Sequence, residues 1–150
     1  MKIAIASDHG GVNLKKVLKE KLINDGYEVL DFSEKNTPTD DYPDFAYLVG
    51  KSIQDKKADR GILVCTRGIG ISIAANKMKG IYCGKVASVD DVTYARWDNG
   101  VNVIAIGGAT ENLAKEIVDK FLSEPALIDE RHERRFNKII KIENGTYNEL

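Results

Sequence analysis

The chain has little of what would hold a metal, staple a fold or cross a membrane. Its 150 residues include two cysteines and two histidines. Cys65 and Cys83 make no zinc-ligand pattern, and two such cysteines do not form a disulfide framework. No apolar run approaches the ~20 residues of a membrane span, and the N-terminus lacks the plan of a signal peptide. Lys and Arg number 22 against 23 Asp and Glu, so a net charge of -1 gives no bulk attraction to nucleic acid or acidic membranes. Internal repeats, low-complexity tracts and linkers are absent. What is left is expected to be a reduced, cytoplasmic enzyme or binding protein. With 43% hydrophobic and 30% charged residues, residues 1–150 fit one domain able to bury its own core.

What is present is a regular alternation. Lys2 to Ser7 is a short apolar run of the kind a buried parallel strand needs. Asp8-His-Gly-Gly11 breaks it, and Leu14, Val17, Leu18 and Leu22 then mark a helix that stops at Asn24-Asp-Gly26. Tyr27 to Phe32 reads as a second strand and Ser33 to Pro43 as a loop. Asp44 is expected to cap a helix with Phe45, Leu48, Val49 and Ile53 facing inward. Further strands are expected at Gly61–Cys65, near Tyr82–Ala87 and at Val101–Ile106. Helices are expected at Ile71–Lys77, at Val89–Asp98, around Leu113–Leu122 and in the basic segment Arg131–Lys141. This alternation predicts an α/β fold with a five-stranded parallel sheet covered on both faces, in the order 2-1-3-4-5. Such sheets bind ligands beyond the carboxyl ends of their strands. The turns after strands one, three, four and five are the places to look.

Three stretches could carry chemistry there. Cys65-Thr-Arg-Gly-Ile-Gly-Ile-Ser72 runs from a strand into a helix, so its N–H groups can converge on an anion or a developing oxyanion. It is neither a Walker loop nor long enough for a dinucleotide fingerprint. Cys65 would stand beside a helix N-terminus, a setting that favours a thiolate, although a buried cysteine before a tight turn reads equally well. Asp8-His9-Gly10-Gly11 offers groups for hydroxyls or phosphate, or simply a helix-capping loop with an incidental histidine. Arg131 and Arg135, four apart, share a helix face as a phosphate clamp requires, though a solvated basic face is the usual cause of such a run. Cys83 reads as core. Trp97 could be core, interface or pocket wall. Asn99 and Asn102 could be turn residues or ligand contacts.

Asp8-His-Gly-Gly11, Asp41-Tyr-Pro43, Gly61–Cys65, Gly68–Lys77, Asn102–Gly107 and Arg131-His132 occur in an order and spacing that resembles the type B ribose-5-phosphate isomerases and the galactose-6-phosphate isomerases. The resemblance runs from Met1 to about Ile142. It implies an aldose–ketose isomerase without metal or cofactor, of Rossmann-like three-layer α/β/α fold, acting on a small sugar phosphate of the ribose 5-phosphate/ribulose 5-phosphate type. It implies a homodimer or homotetramer with sites between subunits and a C-terminal helix reaching a neighbour. Cys65 would be the base moving a proton between C1 and C2 through an enediolate. Thr66, Arg67, Gly68, Ile69 and Gly70 would form the substrate loop. Asp8, His9 and Asn99 would contact the sugar phosphate, and Arg131 and Arg135 would grip its phosphate from the neighbouring subunit. His9 and His132 would lie in loops at the phosphate end. Chemistry agrees, because removing a proton next to a carbonyl needs a base plus donors for the oxygen that becomes negative.

The departures from the family pattern fall in the site. Thr66-Arg67 stands where the family has Gly-Thr, Tyr82 where it has Arg, and Ala109 where it has an Arg near the phosphate. Asp98 occupies the catalytic position of a ring-opening His. Arg67 is expected to replace the cation lost at Ala109. An ionised Asp is a poor proton donor, so substrates with no ring to open, such as tetrose 4-phosphates, are expected to be favoured. Two other readings are a subunit of a heteromeric galactose-6-phosphate isomerase and a sugar-phosphate sensor without turnover. Retention of Cys65 argues against the sensor, which needs no base.

Overall fold

The short apolar runs become strands. The computed structural model describes residues 1–150, with β1 at Lys2–Ser7, β2 at Glu28–Asp31, β3 at Arg60–Val64, β4 at Cys83–Val86 and β5 at Val103–Ile106. The helices are α1 (Val12–Asn24, after a 3-10 turn at His9–Gly11), α2 (Tyr42–Gln54), α3 (Ile69–Asn76), α4 (Val89–Asn99), α5 (Glu111–Ser123) and α6 (Glu130–Glu143). Strand residues alternate between two cores, as a pleated sheet demands. Ile3, Ile5, Ile62, Val64, Ile104 and Ile106 meet Leu18, Leu22, Val92, Ile117 and Phe121 on one face. Ala4, Ala6, Leu63, Cys65 and Ala105 meet Phe45, Val49, Ile71 and Ala75 on the other. The result is a three-layer α/β/α fold around a wholly parallel sheet. None of its helices is long and apolar enough to cross a membrane.

The strand order is 2-1-3-5-4, not the expected 2-1-3-4-5. Composition explains the exchange. All four residues of β5 are fully buried, as a strand with neighbours on both sides requires, whereas β4 carries the exposed Lys85 and takes the edge. Two local expectations also shift. Asp41 rather than Asp44 stands at the N-cap of α2, with Pro43 in the first turn, and Leu48 is exposed while Ala46 faces the core. α3 begins at Ile69, earlier than expected, because Gly68 takes a left-handed conformation (φ 78°) at its N-cap. The basic segment is helical as expected. α6 lies outside the two main cores, packed on α4, with Phe136 edge-on to Tyr82 at 4.7 Å between ring centres.

Candidate active site

The carboxyl ends of β1, β3 and β5 enclose a cavity of about 470 Å³ lined by His9–Leu14, Val64–Thr66, Gly108 and Ala109. The turn after β4 takes no part in the lining, as its edge position dictates. Close backbone contact holds the three loops together. A Cβ on Gly10 would lie 2.1 Å from Thr66 Oγ1, and one on Gly107 would lie 2.3 Å from the Arg67 carbonyl carbon. Only glycine permits that approach.

Cys65 directly follows β3, buried to 9% exposure, and its Sγ accepts the Gly68 N–H at 2.9 Å. The thiol thus meets the N–H of the residue that caps α3. Cys83 is also buried, but burial alone pushes its thiol up to about 12, so it stays inert as core. Asp8 is buried and accepts the Gly10 N–H at 2.9 Å, fixing the turn that carries His9. Ala109 lines the cavity wall. Arg67 is exposed outside that lining, and its backbone abuts Gly107.

His9 has a partner that sequence reasoning missed. Its Nδ1 lies 2.7 Å from Asp40 Oδ1, and its backbone N–H donates to the same oxygen at 2.9 Å. The other oxygen accepts from Asn36 Nδ2 at 2.8 Å and from the Thr37 N–H at 3.1 Å. Asn36 also donates to the Ser7 carbonyl at 2.8 Å, tying the loop before α2 to the end of β1. Burial alone would raise the Asp40 carboxyl, but the hydrogen bonds from Asn36, His9 and Thr37 bring it down to about 2. His9 is correspondingly raised, chiefly by the hydrogen bond to Asp40. The signal available in sequence was the doubled acid Asp40-Asp41, of which only the second reads as part of a motif.

The remaining candidates lie elsewhere. Asp98 and Asn99 end α4, and Arg131 and Arg135 stand on α6; none lines the cavity. His132 is not in a loop at the phosphate end but in the first turn of α6, because Asp129 caps that helix by accepting the His132 N–H at 2.9 Å. Its buried imidazole places Nε2 3.2 Å from Asp98 Oδ1 and Nδ1 2.9 Å from Asp129 Oδ1. Arg131 is 3.5 Å from Asp129 and mostly exposed. Trp97 donates to Glu124 at 2.6 Å, joining α4 to the end of α5. Asn102 is a turn residue, taking the Tyr82 N–H and donating to the Gly80 carbonyl, each at 2.9 Å. The Tyr82 hydroxyl donates to Glu143 at 3.0 Å and so anchors α6. Asn99 borders a groove with Tyr82, Cys83 and Ile139.

Comparison with known proteins converges on one group. The ribose/galactose isomerase family pattern matches residues 3–139. A structure of ribose-5-phosphate isomerase B from Clostridium thermocellum superposes with a TM-score of 0.93 at 40% identity, covering 97% of this chain and 99% of that one. The Mycoplasma genitalium ribose-5-phosphate isomerase B, solved with bound ribulose-5-phosphate, gives a TM-score of 0.89 at 39% identity, over 95% and 96% of the two chains. A D-erythrulose-4-phosphate isomerase of Pectobacterium atrosepticum is 38% identical over 81% of this chain and 82% of its own length.

Proposed function

The chain belongs to the ribose/galactose isomerase family, and we propose that residues 1–150 are one sugar-phosphate isomerase domain interconverting an aldose and a ketose at the Cys65 cavity. The observation that carries the reading is Cys65 itself, a thiol at the wall of a cavity with a backbone donor on its sulfur. In this reading the Cys65 thiolate removes the C2 proton of the open-chain aldose. The C2–H electrons form the C1–C2 double bond, and negative charge collects on O1 as the carbonyl opens. Moving the O2–H proton to O1 and returning the first proton from Cys65 to C1, as C2=O forms, gives the ketose. The N–H groups of Thr66, Arg67, Ile69 and Gly70 would receive the developing oxyanion, that of Gly68 being held by Cys65.

The phosphate grip is assigned to Arg131 and Arg135 of a second copy, because no guanidinium lines the cavity. A homodimer is supported by apolar side chains left exposed on α3, α4 and α6: Ile69, Ile73, Tyr94, Ile139 and Ile142. Asn99 would arrive with those arginines. Arg67, at the mouth of the same turn, would supply a cation in place of the one lost at Ala109.

Asp98 faces the imidazole of His132 at 3.2 Å and is 36% exposed, which leaves its side chain open to accept hydrogen bonds from substrate hydroxyls. Substrates without a ring to open are therefore favoured: tetrose 4-phosphates, or ketopentose phosphates in the reverse direction. The name of the Pectobacterium relative points the same way. The test is deuterium exchange in heavy water, at C2 of aldose and C1 of ketose substrates, across tetrose, pentose and hexose phosphates. Erythrulose 4-phosphate and ribulose 5-phosphate should exchange at C1 faster than ribose 5-phosphate exchanges at C2, and Cys65→Ala should slow all of them by roughly 10²–10⁴-fold. Efficient turnover of ribose or allose phosphate would remove the preference for acyclic substrates, and exchange by Cys65→Ala at the wild-type rate would remove the base.

A further inference from the structure

Of the eleven residues lining the Cys65 cavity, His9 alone can carry a positive charge. The others are glycines, apolar residues, Asn13, Cys65 and Thr66. Whatever attraction this chain's own cavity wall has for an anion depends on the protonation state of one imidazole. That state is set outside the cavity, by a carboxylate on another loop.

We propose that Asp40 is a positioning residue for the reaction, holding His9 as an imidazolium with Nε2 turned to the cavity as the anchor for the substrate's phosphate or its developing oxyanion. An ionised carboxylate only accepts hydrogen bonds, so at 2.7 Å the His9 Nδ1 must carry a proton. The ring therefore cannot offer Nδ1 to a ligand, which leaves Nε2 for the cavity. Asp40 is itself immobilised: four donors bind it, His9 through ring and backbone, Asn36 and Thr37. Its side chain is 11% exposed while that of His9 is 49% exposed, so the carboxylate is the fixed partner and the imidazole the one offered outward. Asn36 completes the brace by tying Asp40 to the Ser7 carbonyl, one residue before Asp8.

The charged groups facing His9 act in one direction. Asp40, from the loop before α2, and Asp8, from the same turn, both favour the imidazolium. The β5–α5 loop presents only Gly108 and Ala109, and the β3–α3 loop presents Cys65 and Thr66. His9 therefore stays protonated to a higher pH than an ordinary histidine. Anion binding by it persists up to that raised value and fades above it.

Asp40→Asn keeps the shape and the hydrogen-bonding capacity while removing the charge. The His9 Cε1 proton is followed by NMR through a pH titration of both proteins, assigned against His9→Asn in a chain with one other histidine. Wild-type His9 should titrate above 6.5, and the Asp40→Asn variant should titrate lower. Inorganic phosphate is then titrated into both proteins at pH 5.5, where either His9 is protonated, and at pH 7.5. Binding should differ little at the lower pH and weaken roughly three- to tenfold in the variant at the higher pH. A loop merely collapsed by the substitution would lose affinity equally at both values. Equal weakening, an unmoved His9 titration, or no phosphate binding by the wild type at pH 5.5 would each overturn the proposal. It rests on the isomerase reading, whose own failure would appear as C2 exchange by Cys65→Ala at the wild-type rate and would leave these titrations unchanged.

Discussion

The two histidines of this chain are each paired with an aspartate, and the pairs are built in opposite senses. At the Cys65 cavity the imidazole of His9 is 49% exposed and its partner Asp40 only 11%. At the α4–α6 corner the imidazole of His132 is 8% exposed and Asp98 carries 36%. The exposed member is the one a ligand meets. The first pair turns its histidine outward at a cavity; the second turns its aspartate outward at the end of α4, beside the helix that carries Arg131 and Arg135. In the proposed function the two corners meet across a pair of copies, the arginines of one serving the cavity of the other.

The sharpest way to separate the two corners is Cys65→Ala, which should lower C2 proton exchange by roughly 10²–10⁴-fold while leaving inorganic phosphate binding intact. Exchange kinetics with parallel binding titrations read both. Arg131→Ala with Arg135→Ala should act the other way, raising KM about 10- to 100-fold with a smaller fall in kcat, as lost ionic grips on phosphate do. A KM unchanged in that variant would place the phosphate elsewhere, with Arg67 the first candidate.

Stability should divide the pairs too. His132 is buried between α4 and the cap of α6, so His132→Gln loses the packed ring and its contact with Asp98 and should cost about 1–3 kcal/mol in denaturant unfolding. Asp40→Asn, at a surface loop, should shift the same midpoint far less. The smallest effect is the pH dependence of the β1–α2 loop tie. The lowered Asp40 contributes fully above its unfolded value of about 4, and that contribution is lost as pH falls toward 2. The raised His9 contributes fully below about 6.5 and is lost as pH climbs through its folded value. Amide protection factors at His9 and Thr37, corrected for the intrinsic pH dependence of exchange, should therefore be highest between those limits.

Much of this was legible in the residues. Runs such as Ile3–Ala6 and the stripe Leu18–Leu22 announce their elements because local periodicity and burial share one cause. Cys65, Asp8 and His9 could be placed because strand ends in parallel sheets gather loops by rule. The exchange of β4 and β5 could not be read from order along the chain, since it depends on which strand is apolar enough for two neighbours. Asp40 was missed because its role exists only once the loop before α2 folds back on β1, a contact spanning 31 residues. His132 was misplaced for a related reason: Asp129 starts α6 just early enough to lift the histidine from loop to helix and aim it at α4.

The claim that the two corners complete one another across two copies has a direct test. The Cys65→Ala chain and the Arg131→Ala/Arg135→Ala chain are mixed, exchanged under conditions that allow subunits to dissociate, and assayed for isomerase activity. Random pairing makes half the dimers mixed, each with one intact site of two, so activity should recover to about a quarter of wild type. No recovery above the two parents, with subunit exchange verified, would contradict a shared site.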